Sequence, residues 1–413
     1  MSKRSPTARL CYATCPPGLE NILSWEAEHL GLEGIRRGRG RISFQNKGDA
    51  ALRAVLWLRT AHRILEHLFR FPAGNRDELY AGVVDFPWED WLDRDTTFAV
   101  QTVGTTEQLH HTHFSSLIVK DAIADRLNQR IGGRPDVDPQ NPVFLVVCHL
   151  DHGYCTLSLD TDGHRLHQRG YRRVSVDAPI RETLAAAVLL WSRWRADTQL
   201  FDPFCGSGTI VIEAAMLARN LAPGRHRTPA CLEWPTLRSQ RMKHWAQLCA
   251  DADARVVEQS EWLVAASDRS PEAVAATAAN AEAAGVRPWV TCSTSDSRRV
   301  DYRGSGGLVV GNPPYGERLS TFVPARELLE QTIETIGRTG GHSALFIVPQ
   351  ELELEFEAQR WLMMRNGPID CKAIYFEQTS QTNRRMEIRS TNEWSSSRTS
   401  RTNRPSSTKP LRW

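Results

Sequence analysis

Long apolar runs are missing from this sequence of 413 residues, and no stretch approaches the roughly 20 apolar residues that a transmembrane helix needs. An early Lys3-Arg4 pair could open a signal segment, but Pro6, Arg9 and Pro16 interrupt the apolar stretch that would have to follow. We therefore expect a protein without a membrane span that stays in the cytoplasm.

The nine cysteines form no C-x-x-C pair and no Cys/His quartet with the spacing of a zinc site. Their odd number and scattered positions favour reduced, buried thiols, and we predict no metal. The formal net charge of +3 is also small, so it permits a nucleic-acid partner without arguing strongly for one. Function must therefore be sought in local motifs.

The first 162 residues alternate between helical and strand-like apolar patterns, which predicts two small α+β units. Gly31 ends the first predicted helix, and alternating basic and apolar residues separate it from the second. The predicted helices span residues 17–30, 49–67 and 114–129, and the predicted strands span 10–14, 97–102, 143–150 and 155–160.

The connector between residues 163 and 173 is rich in arginine and histidine and also contains a tyrosine. This composition suits phosphate contact combined with base stacking, although a solvated interdomain linker would look similar. A helix is predicted from 179 to 194. The candidate RNA contacts are Lys120, Arg165, Arg169, Tyr171, Arg172 and Arg173.

From Leu200 onward, strands alternate with helices, which indicates a mostly parallel sheet covered on both faces. The last residues differ, because Ser, Thr, Asn and Arg dominate from Thr379 to the end. We predict that this basic tail is disordered.

A glycine-bearing turn between a strand and an apolar helix predicts a cofactor loop. Gly206 and Gly208 allow a ligand to approach the backbone, but Val211 stands where a dinucleotide fingerprint needs its third glycine. Asp202 precedes the glycines and suits a cationic group such as the amino group of a methionine moiety, although it could also form an Asx turn. The predicted loop is Asp202, Pro203, Phe204, Cys205, Gly206, Ser207, Gly208 and Thr209.

Two further acids follow predicted strands of the same sheet. Asp268 is placed to accept hydrogen bonds from a ribose diol, although it also resembles a helix N-cap. Asp296 could accept a hydrogen bond from an adenine amino group. Together with Asp202, these acids lie at successive strand ends, which predicts a binding site for an adenosyl cofactor.

A buried-strand pattern from 307 to 311 leads into Asn312, Pro313, Pro314 and Tyr315. The prolines restrict the backbone, the Asn312 side-chain oxygen and the Pro313 carbonyl can accept hydrogen bonds from an NH₂ group, and Tyr315 can stack on a flipped base. We predict methyl transfer to a planar exocyclic amine, with a strand-terminating turn as the alternative.

These two motifs make the chain resemble the THUMP-containing guanine-N2 RNA methyltransferases, especially members that act on 23S ribosomal RNA. The resemblance extends over about residues 10 to 371. It also rests on residues 166–172, 178–187, 212–216 and 366–371.

The resemblance implies an α/β fold in which a Rossmann-like class I methyltransferase domain follows an α+β ferredoxin-like and THUMP RNA-binding region. It implies S-adenosyl-L-methionine as cofactor, structured RNA as partner, and a cofactor-side wall at Pro179, Glu182 and Thr183. A second half that makes 7-methylguanine in bifunctional members is absent, so only the N2 activity is expected. The expected divisions are 1–65 ferredoxin-like, 46–162 THUMP, 163–195 linker and first helix, 196–378 methyltransferase, and 379–413 tail.

Other functions remain open at this stage. Related THUMP enzymes methylate transfer RNA with the same catalytic edge, and N-P-P-Y also occurs in enzymes acting on adenine N6, cytosine N4 or protein glutamine. A chain of a different class would be a non-catalytic ribosome-assembly factor that binds RNA, and the intact Asn312 and glycine loop weigh against it.

Overall fold

The computed structural model describes residues 10–176, 179–258, 264–302, 304–314 and 322–377. The strands are β1 (Leu10–Thr14), β2 (Arg36–Gly38), β3 (Arg41–Gln45), β4 (Arg63–Pro72), β5 (Phe98–Gly104), β6 (Phe144–Asp151), β7 (Tyr154–Asp160), β8 (Leu200–Asp202), β9 (Val264–Asp268), β10 (Val290–Thr294), β11 (Ser305–Gly311), β12 (Gly341–Pro349), β13 (Arg360–Asn366) and β14 (Ile369–Phe376). The helices are α1 (Glu20–His29), α2 (Ala50–Trp57), α3 (Arg76–Val84), α4 (Thr112–Ile131), α5 (Glu182–Ser192), α6 (Thr209–Ala218), α7 (Arg238–Asp253), α8 (Pro271–Ala283) and α9 (Phe322–Thr339).

The described chain divides into two compact units. The first contains residues 10–15, 26–166 and 223–254, and the second contains residues 16–25, 167–222 and the described residues from 255 onward. In the part of the chain that the structure describes, no helix is both long and apolar enough to cross a membrane.

The described strands of the first unit form one sheet in the order β2-β3-β1-β4-β7-β6-β5. Only β5 and β6 pair in parallel among these strands, as the register of their residues shows. In β1 and β3, alternate residues are fully buried, namely Cys11, Ala13, Ile42 and Phe44. This period of two places the apolar core on one face of the sheet.

The predicted helix from 49 to 67 is wrong beyond Trp57, because the chain turns there and enters β4. Leu58 has an extended backbone, and the buried carboxylate of Glu26 accepts the main-chain N–H groups of Arg59, at 2.5 Å, and Thr60, at 3.1 Å. These bonds satisfy donors that would otherwise continue the helix. The apolar spacing alone could not reveal a carboxylate distant in sequence.

Residues 223–254 belong to the first unit, whereas we expected all of 196–378 to form one domain. Trp234 stacks on Phe144 with ring centroids 5.1 Å apart. Arg241 donates to both carboxylate oxygens of Glu66, at 2.8 and 3.0 Å, and both side chains are largely buried. A stacked aromatic pair and a bidentate ion pair therefore hold this segment to the first sheet.

The second unit contains a sheet in the order β10-β9-β8-β11-β12-β14-β13. The strands from β10 to β12 pair in parallel, and β14 pairs antiparallel with both β12 and β13. The chain order reverses between β8 and β11, so the carboxyl ends of these two strands flank a crevice that is typical of ligand sites in such sheets. The predicted tail from 379 to 413 lies outside the described residues.

Candidate active site

A cavity of about 450 Å³ lies at the carboxyl edge of the second sheet, where the strand order reverses. It brings together residues from the ends of β8, β9, β10 and β11. The predicted site residues on its wall are Pro179, Asp202, Pro203, Phe204, Cys205, Gly206, Ser207, Thr209, Asp268, Asp296, Asn312, Pro313 and Pro314. Gly208, Glu182 and Thr183 do not line it, and Tyr315 lies outside the described residues.

The glycine loop has a conformation that requires glycine at Gly208. This residue precedes α6 with a φ of +86°, and a Cβ atom built on it would lie 2.8 Å from Cγ2 of Thr277. The left-handed backbone and the close helix thus both exclude a side chain. Gly206 also has a positive φ of +53°. Gly208 therefore shapes the loop from behind, although it does not face the cavity.

Two buried polar residues of α8 hold the loop in place. Thr277 donates from Oγ1 to the carbonyl of Gly206 over 3.0 Å, and Asn280 donates from Nδ2 to the carbonyl of Ser207 over 2.9 Å. Both side chains are completely buried. Neither residue was predicted from the sequence, although two polar residues three positions apart in an alanine-rich helix share one face and give a usable signal.

Asp202, at the end of β8, is almost fully buried in the cavity wall. Its Oδ1 atom accepts the main-chain N–H of Phe204 over 3.0 Å, so the predicted Asx turn is present as well. The pKa of the Asp202 carboxyl is raised to about 8, because burial raises it more than the hydrogen bond from Phe204 lowers it, and the negative charge of Asp268 adds to the rise. A cation bound here would stabilise the ionised form.

Asp268, at the end of β9, uses both carboxylate oxygens. Oδ2 accepts the N–H of Gly206 over 3.1 Å, and Oδ1 accepts the N–H of Ser270 over 3.0 Å. The N-cap of α8 is Ser270, whose hydroxyl accepts the N–H of Ala273 over 3.1 Å, so the N-cap alternative for Asp268 is wrong. Each Asp268 oxygen retains acceptor capacity for a ligand.

Asp296 follows β10 and is bound by Arg298, which also lines the cavity. The Arg298 Nε donates to Oδ1 of Asp296 over 2.8 Å, and this bond holds the pKa of the Asp296 carboxyl at about 2. Arg298 was not among the site residues predicted from the sequence. Asp296 therefore stays ionised at neutral pH, and it shares its acceptor oxygens with this arginine.

Asn312 stands immediately after β11 and faces the same cavity as Asp202. Its Oδ1 atom is buried and has no hydrogen-bond partner among the described residues. Gly311 explains how the two strand ends approach, since a Cβ there would lie 2.9 Å from the ring of Phe204. The site therefore presents an unsatisfied acceptor beside the glycine loop, which is costly unless a ligand supplies a donor.

Arg172 connects the Pro179 side of the cavity to the glycine loop. Its Nη2 group donates to the carbonyl of Ile180 over 2.8 Å and to Oγ1 of Thr209 over 2.9 Å, and it lies 3.1 Å from Oε1 of Glu182. Burial raises the pKa of the Glu182 carboxyl, and the positive charge of Arg172 opposes that shift. Glu182 thus supports the wall through Arg172, without facing the cavity itself. Thr183 is completely buried.

Part of the connector is internal, and two of the predicted RNA contacts are therefore not surface residues. Arg169 and Tyr171 are buried in the second unit around Glu213, at 3.6 Å and 3.1 Å from its Oε1 atom. Buried side chains that share a carboxylate are not available to a phosphate backbone. Arg165 and Arg173 are exposed, and Lys120 is half-buried 3.0 Å from its neighbour Asp121.

Among the residues that the structure describes, no group of three or more His, Cys, Asp or Glu side chains is arranged to hold a metal ion.

Three family models match the chain along its length. A RlmL ferredoxin-like domain matches residues 11–65, a THUMP domain matches 73–160, and an RMKL-like methyltransferase domain matches 169–372. The chain thus combines a THUMP domain with an RMKL-like methyltransferase domain. The methyltransferase match covers every site residue discussed above, from Arg172 to Asn312.

Curated relatives are similar to this chain over most of its length. The ribosomal RNA large subunit methyltransferase K/L of Pseudomonas paraeruginosa is 36% identical over 384 residues, covering 89% of this chain and 52% of that protein. The protein of the same name from Syntrophotalea carbinolica is 35% identical over 385 residues, covering 90% of this chain and 54% of that protein. The chain thus spans about half the length of the curated relatives it matches.

Several solved structures are similar to this chain over most of its length. A protein from Clostridium difficile 630 described as a possible methylase has a TM-score of 0.80 at 29% identity, covering 90% of this chain and 98% of that one. SMU.472, described as a methyltransferase complexed with SAH, has a TM-score of 0.79 at 28% identity, covering 89% and 98%. A Listeria monocytogenes protein described as a predicted N6-adenine-specific DNA methylase has a TM-score of 0.77 at 29% identity, covering 89% and 96%.

Proposed function

We propose that this chain transfers a methyl group from S-adenosylmethionine to the exocyclic N2 of a guanine in 23S ribosomal RNA. The observation that carries the proposal is the buried Oδ1 atom of Asn312, which has no hydrogen-bond partner among the described residues and belongs to a residue on the wall of the cavity that Asp202 also lines. An acceptor held in this way suits an amino group that must be oriented.

The residues of the cavity fit S-adenosylmethionine. Asp202 would accept the cationic amino group of the methionine part, Asp268 would accept from the ribose hydroxyls, and Asp296 would accept from the adenine amino group. The raised pKa of Asp202 supports this assignment, because a buried carboxyl gains most from a cationic partner. The SAH complex described for SMU.472 supports the same ligand class. When bound, S-adenosylmethionine supplies an electrophilic methyl group.

The residues after β11 would hold the amine. Asn312 Oδ1 and the Pro313 carbonyl would accept its two hydrogens, which favours a more tetrahedral nitrogen whose lone pair is free to attack. The proline pair limits backbone motion, so these acceptors keep their positions. No general base is needed in the attacking step, since the proton can leave after the transfer. The predicted stacking role of Tyr315 remains a prediction.

The identity of the target rests on the relatives. Both K/L proteins are named for the large ribosomal subunit, which supports ribosomal RNA. Guanine N2 rests on the resemblance to the guanine-N2 family, because the Asn-Pro-Pro edge alone fits several planar amines. The Listeria neighbour, described as acting on adenine N6 of DNA, identifies the alternative amine that a product assay must separate.

The proposal is tested by incubating the protein with labelled S-adenosylmethionine and undermodified 23S ribosomal RNA, then digesting the RNA to nucleosides. We expect label in 2-methylguanosine. Parallel reactions contain undermodified transfer RNA or double-stranded DNA at equal concentration. Label in N6-methyladenosine, or label appearing only with transfer RNA or DNA, contradicts the proposed target. Absence of label from every substrate contradicts the proposed activity.

A further inference from the structure

One face of the first sheet is covered by helices, and the other face carries a set of basic and aromatic side chains. We call this second face the basic-aromatic face. Residues that pair directly across antiparallel strands share a face, and so do residues two apart along a strand. By this rule and the observed registers, the basic-aromatic face carries Tyr12, Arg36, Arg41, His67, Arg70, His149 and Tyr154.

The aromatic rings of this face are combined with arginines. The guanidinium of Arg41 lies over the ring of Tyr12 at 4.8 Å, and the edge of His67 meets the same ring with centroids 5.6 Å apart. At the other end of the face, Arg70 lies over the ring of Tyr154 at 3.9 Å. Each end therefore offers a planar, cationic surface.

The positive charge on this face is largely uncompensated. Within the described residues Arg41 has no ion-pair partner, and Arg36 is exposed opposite Ser43. Of the acids on this face, Asp160 is buried in an ion pair with Arg63, and Asp151 lies at the end of β6. The face thus attracts anions.

The two histidines of the basic-aromatic face contribute their rings more than a positive charge. Burial lowers the pKa of both His67 and His149, and the nearby charge of Arg41 lowers each pKa further. The floor beneath them is apolar and almost buried, formed by Leu65, Ala99, Leu145 and Val147.

We propose that the basic-aromatic face binds unpaired nucleotides of the RNA substrate, with bases stacking on Tyr12 and Tyr154 and arginines contacting phosphates. The inference rests on the proposed action on RNA. Unpaired nucleotides are the occupant that fits, because only they expose base faces to aromatic side chains, whereas a duplex offers chiefly its backbone. This surface replaces the buried Arg169 and Tyr171 as a candidate RNA contact.

The test measures equilibrium binding of the full chain to a fluorescently labelled fragment of undermodified 23S ribosomal RNA. Tyr12→Leu removes the stacking ring and is expected to weaken binding about tenfold, whereas Tyr12→Phe keeps the ring and should bind like the wild type. Arg41→Gln should weaken binding and reduce the salt slope by about 1. The control is Arg53→Gln on α2, an arginine of the same unit that is paired with Asp49 over 2.9 Å.

Equal effects of Arg41→Gln and Arg53→Gln overturn the inference, as does wild-type binding by Tyr12→Leu. Since Arg41 is a surface residue, its variant keeps the test informative if Tyr12→Leu fails to fold. Displacement of the RNA by an acidic polypeptide as effectively as by unlabelled single-stranded RNA also overturns it. S-adenosylmethionine affinity is measured in parallel. If the wild type binds no S-adenosylmethionine or transfers no methyl group, the proposed function is refuted. Weaker RNA binding by the Tyr12 and Arg41 variants would still support the basic-aromatic face as an RNA contact.

Discussion

The main-chain N–H of Gly206 donates a hydrogen bond to Oδ2 of Asp268 over 3.1 Å. This contact joins the glycine loop after β8 to the end of the neighbouring strand β9, so two parts of the proposed cofactor grip are held at a fixed separation. Because Oδ1 of Asp268 also accepts the N–H of Ser270, one carboxylate fixes both the loop and the start of α8.

Asp268→Asn should therefore weaken S-adenosylmethionine binding about tenfold, because an amide has one acceptor oxygen and cannot satisfy both N–H groups. Isothermal titration calorimetry on the full chain measures the change. Glu272→Gln is the matched control, since Glu272 is an exposed carboxylate at the start of the same helix. Equal affinities in Asp268→Asn and the wild type would show that this carboxylate does not organise the site.

Gly208→Ala should destabilise the protein by about 1–3 kcal/mol and reduce cofactor affinity, because alanine is strained at a φ of +86° and its Cβ meets Thr277. Thr277→Ser removes the methyl group that is approached most closely while keeping the hydroxyl. The double variant of Gly208→Ala and Thr277→Ser should recover part of the lost free energy of unfolding, measured in urea. Such non-additivity is expected when two neighbouring residues interact. Additive effects of the two substitutions would contradict the steric explanation.

Asp202→Asn should raise the melting temperature of the ligand-free protein in a pH-dependent way. The folded pKa is about 8 and the unfolded pKa is about 3.9, so the wild type loses stability as pH rises between these values. The asparagine variant avoids this loss, and its advantage should grow from pH 4 to pH 8 and then level off. It should also bind S-adenosylmethionine more weakly. A pH-independent difference in melting temperature would contradict the raised pKa.

Arg172→Lys should raise the KM for S-adenosylmethionine about tenfold with a smaller change in kcat, because lysine cannot reproduce the bonds to Ile180 and Thr209 together. Arg195→Lys serves as the control, as Arg195 is an exposed arginine of the same unit paired with Asp197. Steady-state kinetics at saturating RNA distinguishes the two parameters. If only thermal stability changes, Arg172 supports the fold and does not position the cofactor wall.

Much of the second unit could be predicted because its information is local. The acids at strand ends, the glycines between strand and helix and the proline pair each follow directly from neighbouring residues, and the parallel sheet brings them to one edge. Asp202, Asp268, Asp296 and Asn312 accordingly line one cavity.

What could not be predicted depends on contacts between distant residues. Glu26 ends α2 through bonds to Arg59 and Thr60, and no local pattern announces that partner. Tyr171 was predicted to be a surface contact because its neighbours are basic, but its hydroxyl donates a buried hydrogen bond to Glu213. Charge composition indicates which residues can bind an anion, but burial decides whether that anion is RNA or a carboxylate of the same chain.

The central claim is that Asn312 orients the amine during transfer, and its most direct test compares Asn312→Ala with the wild type. Two quantities are measured on undermodified 23S ribosomal RNA: the Kd for S-adenosylmethionine and the single-turnover rate of 2-methylguanosine formation. We expect an unchanged Kd and a single-turnover rate reduced about 100-fold, because the substitution removes an acceptor for the reacting amine. A variant that forms 2-methylguanosine at the wild-type rate would contradict the account.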